Sequence, residues 1–180
     1  MKVKKYLRGD KVVAGLEVTK GELLDLIDEY DFVSVSKADL NWLETVNYND
    51  TVGVIFGNIE AFNDPKYINP DCWFVNKEYV DRHYKELENS YFTFGEAIAL
   101  LKQGYKVARE GWNGKGMFIF LVPGSKFKVN RPPLMGIYPE GTEVEYHAHI
   151  DLKTAQGYIV PWTISQVDAL AEDWVLVKDN

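Results

Sequence analysis

Apolar positions along this chain switch between a period of two and a period near 3.6, and each switch marks an element. Residues 11–18 alternate as a half-buried strand does. Thr19 and Glu22 have the spacing of a capping box, in which the threonine oxygen accepts from a first-turn amide and the glutamate reaches back. Leu23, Leu24, Ile27 and Tyr30 then follow at helical spacing. Residues 31–36 alternate again, and Ser36 reads as the N-cap of a short helix carrying Leu40 and Leu43. Residues 51–56 and 72–75 are further strands. Asn76 caps a helix with Val80, Tyr84 and Leu87 on one side.

The polar stretch at 86–90 separates this first module, residues 1–89, from a second, residues 90–180. The second opens on another capping box, Thr93 to Glu96, with Phe94, Ala97, Ile98 and Leu101 as the apolar stripe and Gly104 as the stop. Residues 106–109 form a short strand. Residues 117–122 are continuously apolar, which predicts a central strand. Residues 124–142 form a long excursion with Arg131, Pro132 and Pro133 at its middle, and residues 144–152 alternate as one strand. Residues 158–162 are a short strand limited by Pro161. Ser165 and Asp168 resemble a capping box with Asp in the Glu position, and residues 174–177 close the module as a strand. The predicted fold class is α+β: a small antiparallel sheet with packed helices in the C-terminal domain, preceded by a separate small α+β module.

Composition narrows the function. Apolar residues are 46% and aromatics 14% of 180, as in a packed globular protein. No apolar run approaches the ~18–20 residues that span a bilayer, and the basic start at 1–5 is not followed by an apolar signal core. The expectation is a soluble, unsecreted protein. Cys72 stands alone, so the reading is a buried small hydrophobe. A net charge of −7 argues against a general binder of DNA or RNA. Within 102–131, however, Lys102, Lys106, Arg109, Lys115, Lys126, Lys128 and Arg131 face only Glu110. A local basic surface on an acidic protein suits a small anion better than a polymer.

That basic stretch holds the most informative segment, residues 105–117. It sets Trp112, Asn113, Arg109 and Lys115 among Gly111, Gly114 and Gly116. An indole offers a flat face for a base, Arg and Lys offer charge to a phosphate, and Asn both donates and accepts. A large aromatic in a glycine-rich turn favours ligand stacking or an interface over plain packing. Trp162 could supply a second face, and Trp174 reads as core. The glycines match neither a phosphate loop nor a dinucleotide fingerprint.

Other chemistry is weaker. His147 and His149 fall on one face of the strand read at 144–152, as two metal ligands can, but a half-buried strand face explains them as well. Ser125, Ser165 and Asp168 lack the context of a nucleophile elbow. The reading is no catalytic residue, no metal and no cofactor. The first module offers no motif, and Tyr48, Trp73 and Tyr79 read as core or interface aromatics.

Residues 91–178 resemble a phage family, the second type of Thoeris anti-defence protein. The matching segments are Phe94-Gly-Glu-Ala97, Val107-Ala-Arg-Glu-Gly-Trp-Asn-Gly-Lys-Gly-Met117, Val122-Pro-Gly-Ser125, Ile159-Val-Pro-Trp162, Ser165-Gln-Val-Asp168 and Ala171-Glu-Asp-Trp174. The resemblance implies a homotetramer in the cytoplasm of the infected bacterial host. It implies binding of a cyclic ADP-ribose isomer without cleavage, which starves the host's Thoeris effector of its activator. By motif, the family's ligand-stacking tryptophans correspond to Trp112 and Trp162. Asn113, Ser165 and Asp168 are the implied polar contacts, and Arg109 and Lys115 the implied phosphate contacts. Some relatives are similar sponges for cyclic dinucleotides, which makes a cyclic di- or oligonucleotide of CBASS type the alternative ligand. A structural or adaptor role in the phage is the alternative function. The first 90 residues have no counterpart in compact family members.

Overall fold

The computed structural model describes residues 3–29, 33–57 and 72–178. They divide into two compact units, Met1–Ser90 and Tyr91–Asn180.

In the first unit, β1 (Val3–Arg8), β2 (Lys11–Thr19), β3 (Val33–Ser34), β4 (Thr51–Phe56), β5 (Cys72–Asn76) and β6 (Lys85–Glu86) form a six-stranded sheet in the order β3-β5-β4-β2-β1-β6. Every pairing is antiparallel except β3 with β5. Alternation along the strands gives each face its own core. One face packs Leu16, Val18 and Ile55 against Leu23 and Leu26 of α1 (Lys20–Glu29) and Leu43 of α2 (Lys37–Leu43). The other packs Tyr6, Val54 and Phe56 against Val80 of α3 (Lys77–His83) and against Tyr84.

The caps form as the sequence predicts. Thr19 N–H donates to Glu22 Oε2 at 2.8 Å and Glu22 N–H to Thr19 Oγ1 at 3.3 Å. Ser36 and Asn76 accept from the amides of Asp39 and Tyr79. Cys72 is 1% exposed, as a buried hydrophobe should be. Three details differ. β1 is missed by the alternation reading because lysines stand at 4 and 5, yet its apolar Tyr6 and Leu7 are both buried. α3 stops at His83, and Tyr84 is extended, so Tyr84 and Leu87 reach the core from beyond the helix. Tyr48, Trp73 and Tyr79 are exposed, which removes the core half of that expectation. Tyr30, Asp31 and Phe32, assigned above to a helix and a strand, lie outside the described residues.

In the second unit, β7 (Val107–Arg109), β8 (Phe118–Val122), β11 (His149–Lys153), β12 (Ile159–Pro161) and β13 (Trp174–Leu176) form an antiparallel sheet in the order β12-β11-β8-β7-β13. The apolar β8 is indeed central. α4 (Phe94–Lys102) is closed by the full Thr93–Glu96 capping box. It buries Ala97, Leu100 and Leu101, alongside the buried Val107, Ile119 and Trp174 of the sheet. The remaining helix, α5 (Gln166–Ala169), is capped by Ser165.

The strand expected at 144–152 is two strands. β10 (Glu143–Tyr146) pairs with β9 (Ser125–Lys128) in a separate ribbon, and β11 joins the main sheet. His147 and Ala148 are the residues where the chain changes partners, so continuous alternation does not place His147 and His149 on one strand face. Both imidazoles are exposed. Among the described residues no helix is long and apolar enough to cross a membrane, and no His, Cys, Asp and Glu gather as a metal-holding group.

Candidate ligand-binding site

The site begins with one register. β13 pairs with β7 so that Trp174 stands opposite Arg109. Trp174 is 0% exposed and forms the floor. Trp112, from the glycine-rich turn after β7, meets it edge to face with ring centroids 5.6 Å apart. Trp162, just after β12, meets it in the same way at 6.2 Å. Phe94 of α4 touches both Trp162 and Trp174. Trp112 and Trp162 are only half-buried. Two indoles are thus fixed by a third and still present surface to solvent.

Asp168 ties the polar side together. Its Oδ1 accepts from Trp112 Nε1 at 3.1 Å and from Arg109 Nη1 at 2.8 Å. Its Oδ2 accepts from Ser165 Oγ at 2.7 Å. Its backbone oxygen accepts from Trp174 Nε1 at 3.2 Å. Arg109 Nε also donates to Asp173 Oδ1, and Asp173 Oδ2 accepts from the Gly111 amide at 2.9 Å. The turn carrying Trp112 is therefore held at its amide, its indole and its preceding arginine.

Burial pushes the Asp168 pKa up, but bonds from Ser165, Trp112 and Arg109 outweigh this and hold it below the usual carboxylate range. The Arg109 guanidinium, with the Gly111 amide, does the same for Asp173 against a smaller effect of burial. Asp173 first, then Asp168, raises Arg109 further above its ordinary value. A carboxylate whose pKa is lowered and whose oxygens are already engaged by donors is a poorer proton acceptor than a free one. Ser165 donates its proton to Asp168 and caps α5, a structural use of the hydroxyl.

The structure thus joins five of the seven expected residues, Arg109, Trp112, Trp162, Ser165 and Asp168, in one network around Trp174. Asn113 and Lys115 sit on the same turn as Trp112, exposed and outside that network. Arg109 and Asp168 are more committed to each other than the sequence suggested. Of the Arg109 nitrogens, Nη2 is the one left without a carboxylate partner among the described residues.

Sequence reasoning missed Asp173, Phe94 and Lys153 as parts of the site. Lys153 Nζ donates to the Gly116 carbonyl at 3.2 Å and lies 5.5 Å from the centre of the Phe118 ring. It brings positive charge to the turn from β11, across 37 residues of sequence, a reach that spacing cannot reveal. Asp173 could have been found by asking what neutralises Arg109 across the β7–β13 pair. Glycine has one clear conformational use here, at Gly116, where φ is +71°. At Gly114 a Cβ would meet Met117 Sδ at 2.2 Å, so that glycine serves packing within the turn.

A family model described as the Thoeris anti-defense 2-like domain matches residues 92–177. The protein named Thoeris anti-defense 2 of Bacillus phage SP01 is 44% identical over 86 residues, which are 48% of this chain and 94% of that protein. The matched range contains every residue of the tryptophan network.

Proposed function

The chain belongs to the Thoeris anti-defense 2 family through its second unit, and on that footing we propose that it is a phage anti-defence protein that sequesters a cyclic ADP-ribose-type immune signal without cleaving it. The observation that carries this reading is the pair of half-exposed indoles, Trp112 and Trp162, both set edge-on against the buried Trp174. The adenine stacks on an indole, and the pyrophosphate draws on Lys115, Lys153 and the outer nitrogen of Arg109, with Asn113 as a neutral partner. Asp168 and Ser165 hold the indole and the arginine in place. Effector activation then fails because the signal is withdrawn.

Magnitude requires an enclosed site. Stacking supplies ~1–3 kcal/mol per base, whereas competing with a host receptor at nanomolar affinity requires ~12 kcal/mol. One protomer's turn is too open for that, and the reading includes a homo-oligomer, a tetramer by family resemblance, whose protomers close over the ligand. Apolar surface supports such assembly: Ile159 is 52%, Val167 73% and Leu170 83% exposed.

The test is a calorimetric titration of the full chain with a panel of cyclic ADP-ribose isomers and cyclic dinucleotides, followed by heat denaturation and assay of the released nucleotide. The expected result is tight binding of a cyclic ADP-ribose isomer and its recovery intact. Recovery of a cleaved product overturns the sponge, and tighter binding of a cyclic dinucleotide transfers the same mechanism to that class.

A further inference from the structure

Asn113 is the one asparagine of the chain that a glycine follows. It lies exposed in the bend after Trp112, in no helix or strand. Neither its side chain nor the Gly114 amide has a hydrogen-bond partner among the described residues. The turn is tied on either side instead. Asp168 holds the Trp112 indole, and the Gly116 carbonyl accepts from Lys153 Nζ at 3.2 Å. Asn89 is the contrast within the same chain: Ser90 follows it, and its side-chain amide donates to Glu86 Oε1 at 3.0 Å.

An asparagine side chain lies within reach of the backbone that follows it. The next residue's amide nitrogen can attack its Cγ and close a cyclic imide. Glycine has no Cβ to shield that nitrogen. Packing accounts for glycine at this position, because a Cβ at 114 would meet Met117 Sδ at 2.2 Å and Ala155 Cβ at 3.0 Å. The residue that lets the turn close is thus the one that leaves Asn113 open to attack. Lys115 and Lys153 bring positive charge to the turn, which favours the deprotonated form of the attacking nitrogen.

We propose that Asn113 is a site of spontaneous deamidation, which turns a neutral group of the tryptophan turn into a carboxylate. The Gly114 N–H gives its proton to hydroxide, and the nitrogen bonds to Asn113 Cγ. The bond from Cγ to the side-chain nitrogen breaks, and that nitrogen takes a proton from water and leaves as ammonia. Water then opens the imide at either carbonyl, giving aspartate or isoaspartate. The net change is water taken up and ammonia lost. The consequence rests on the nucleotide reading: a carboxylate beside Trp112 repels a pyrophosphate and competes for Lys115, and isoaspartate also adds a carbon to the main chain. A bound nucleotide restrains the turn, so an empty site ages faster than a filled one.

The test incubates the purified full chain in warm, mildly alkaline heavy-oxygen water, with and without each of a panel of cyclic ADP-ribose isomers, beside a sample in denaturant. Peptide mapping by mass spectrometry locates the heavy oxygen, and an isoaspartyl methyltransferase reports the iso form. Asn113 of the folded chain should convert at a rate within about tenfold of the denatured chain, as backbone that needs no opening does. Asn89 should lag well behind its own rate in denaturant, and Asn113→Gln, whose longer side chain closes the ring poorly, should take up no label at 113. Converted protein should bind nucleotide about tenfold or more weakly, as loss of a hydrogen bond to a charged group implies, and Asn113→Asp should reproduce that loss. Label at 113 in denaturant but not in the folded chain overturns the proposal. Conversion that leaves nucleotide affinity unchanged overturns its consequence for binding. Conversion in a chain that binds none of the isomers supports the modification and overturns the nucleotide reading alone.

Discussion

Trp112 donates its indole N–H to Asp168 Oδ1 at 3.1 Å, and the same oxygen takes Arg109 Nη1 at 2.8 Å. One carboxylate oxygen therefore positions both the half-exposed indole and the cation beside it. Asp168→Ala should free the turn, lower stability by about 2–3 kcal/mol and abolish tight nucleotide binding. Ser165→Ala removes the α5 cap, worth ~1 kcal/mol, and one of the side-chain bonds on Asp168, and should weaken binding far less than Asp168→Ala. Urea denaturation with calorimetry on both variants separates the two roles.

The three tryptophans should part company on mutation. Trp174→Ala opens a hole under a fully buried indole and should cost ~3–5 kcal/mol. Trp112→Ala and Trp162→Ala remove half-exposed rings and should cost binding far more than stability. If both unfold the second unit instead, these indoles are packing residues and the stacking role is wrong.

Acid should loosen the site from the carboxylate side. Asp168 and Asp173 have folded pKa values below their unfolded values. Their contribution is fully present above the unfolded value near ~3.9 and is lost as pH falls through the lowered folded values. Melting temperature should be flat from neutral pH to about pH 5 and then drop. The Asp168→Asn, Asp173→Asn double variant should be less stable at neutral pH and show a shallower drop.

Gly53→Ala tests whether the units work separately. A Cβ there would lie 2.2 Å from the Val75 backbone oxygen, on the neighbouring strand. The backbone cannot yield without parting β4 from β5, so the first unit should melt at a lower temperature. Nucleotide affinity, which belongs to the second unit in our reading, should change by less than about twofold. A large loss of affinity would mean that the first unit takes part in nucleotide binding.

Local signals were legible where a single residue dictates geometry. Ser36, Asn76, Thr93 and Ser165 all cap helices as their side chains suggest, and the apolar run at 118–122 is central in its sheet. Long-range pairings were not. Nothing in the alternation at 144–152 announces that Tyr146 ends one ladder and His149 begins another. The aromatic members of the site could be proposed from composition and resemblance. Their anchoring could not, because Asp168 and Asp173 meet Arg109 across 59 and 64 residues of sequence.

Phe92 and Trp174 exchange backbone hydrogen bonds, Phe92 N–H to Trp174 O at 2.8 Å and Trp174 N–H to Phe92 O at 3.1 Å. The second unit thus begins and ends at one clasp, and the indole at that clasp is the floor of the site. Such a unit can be cut and rejoined: a circular permutant linking 178 back to 91 and opened in the exposed excursion near 131 should keep its floor.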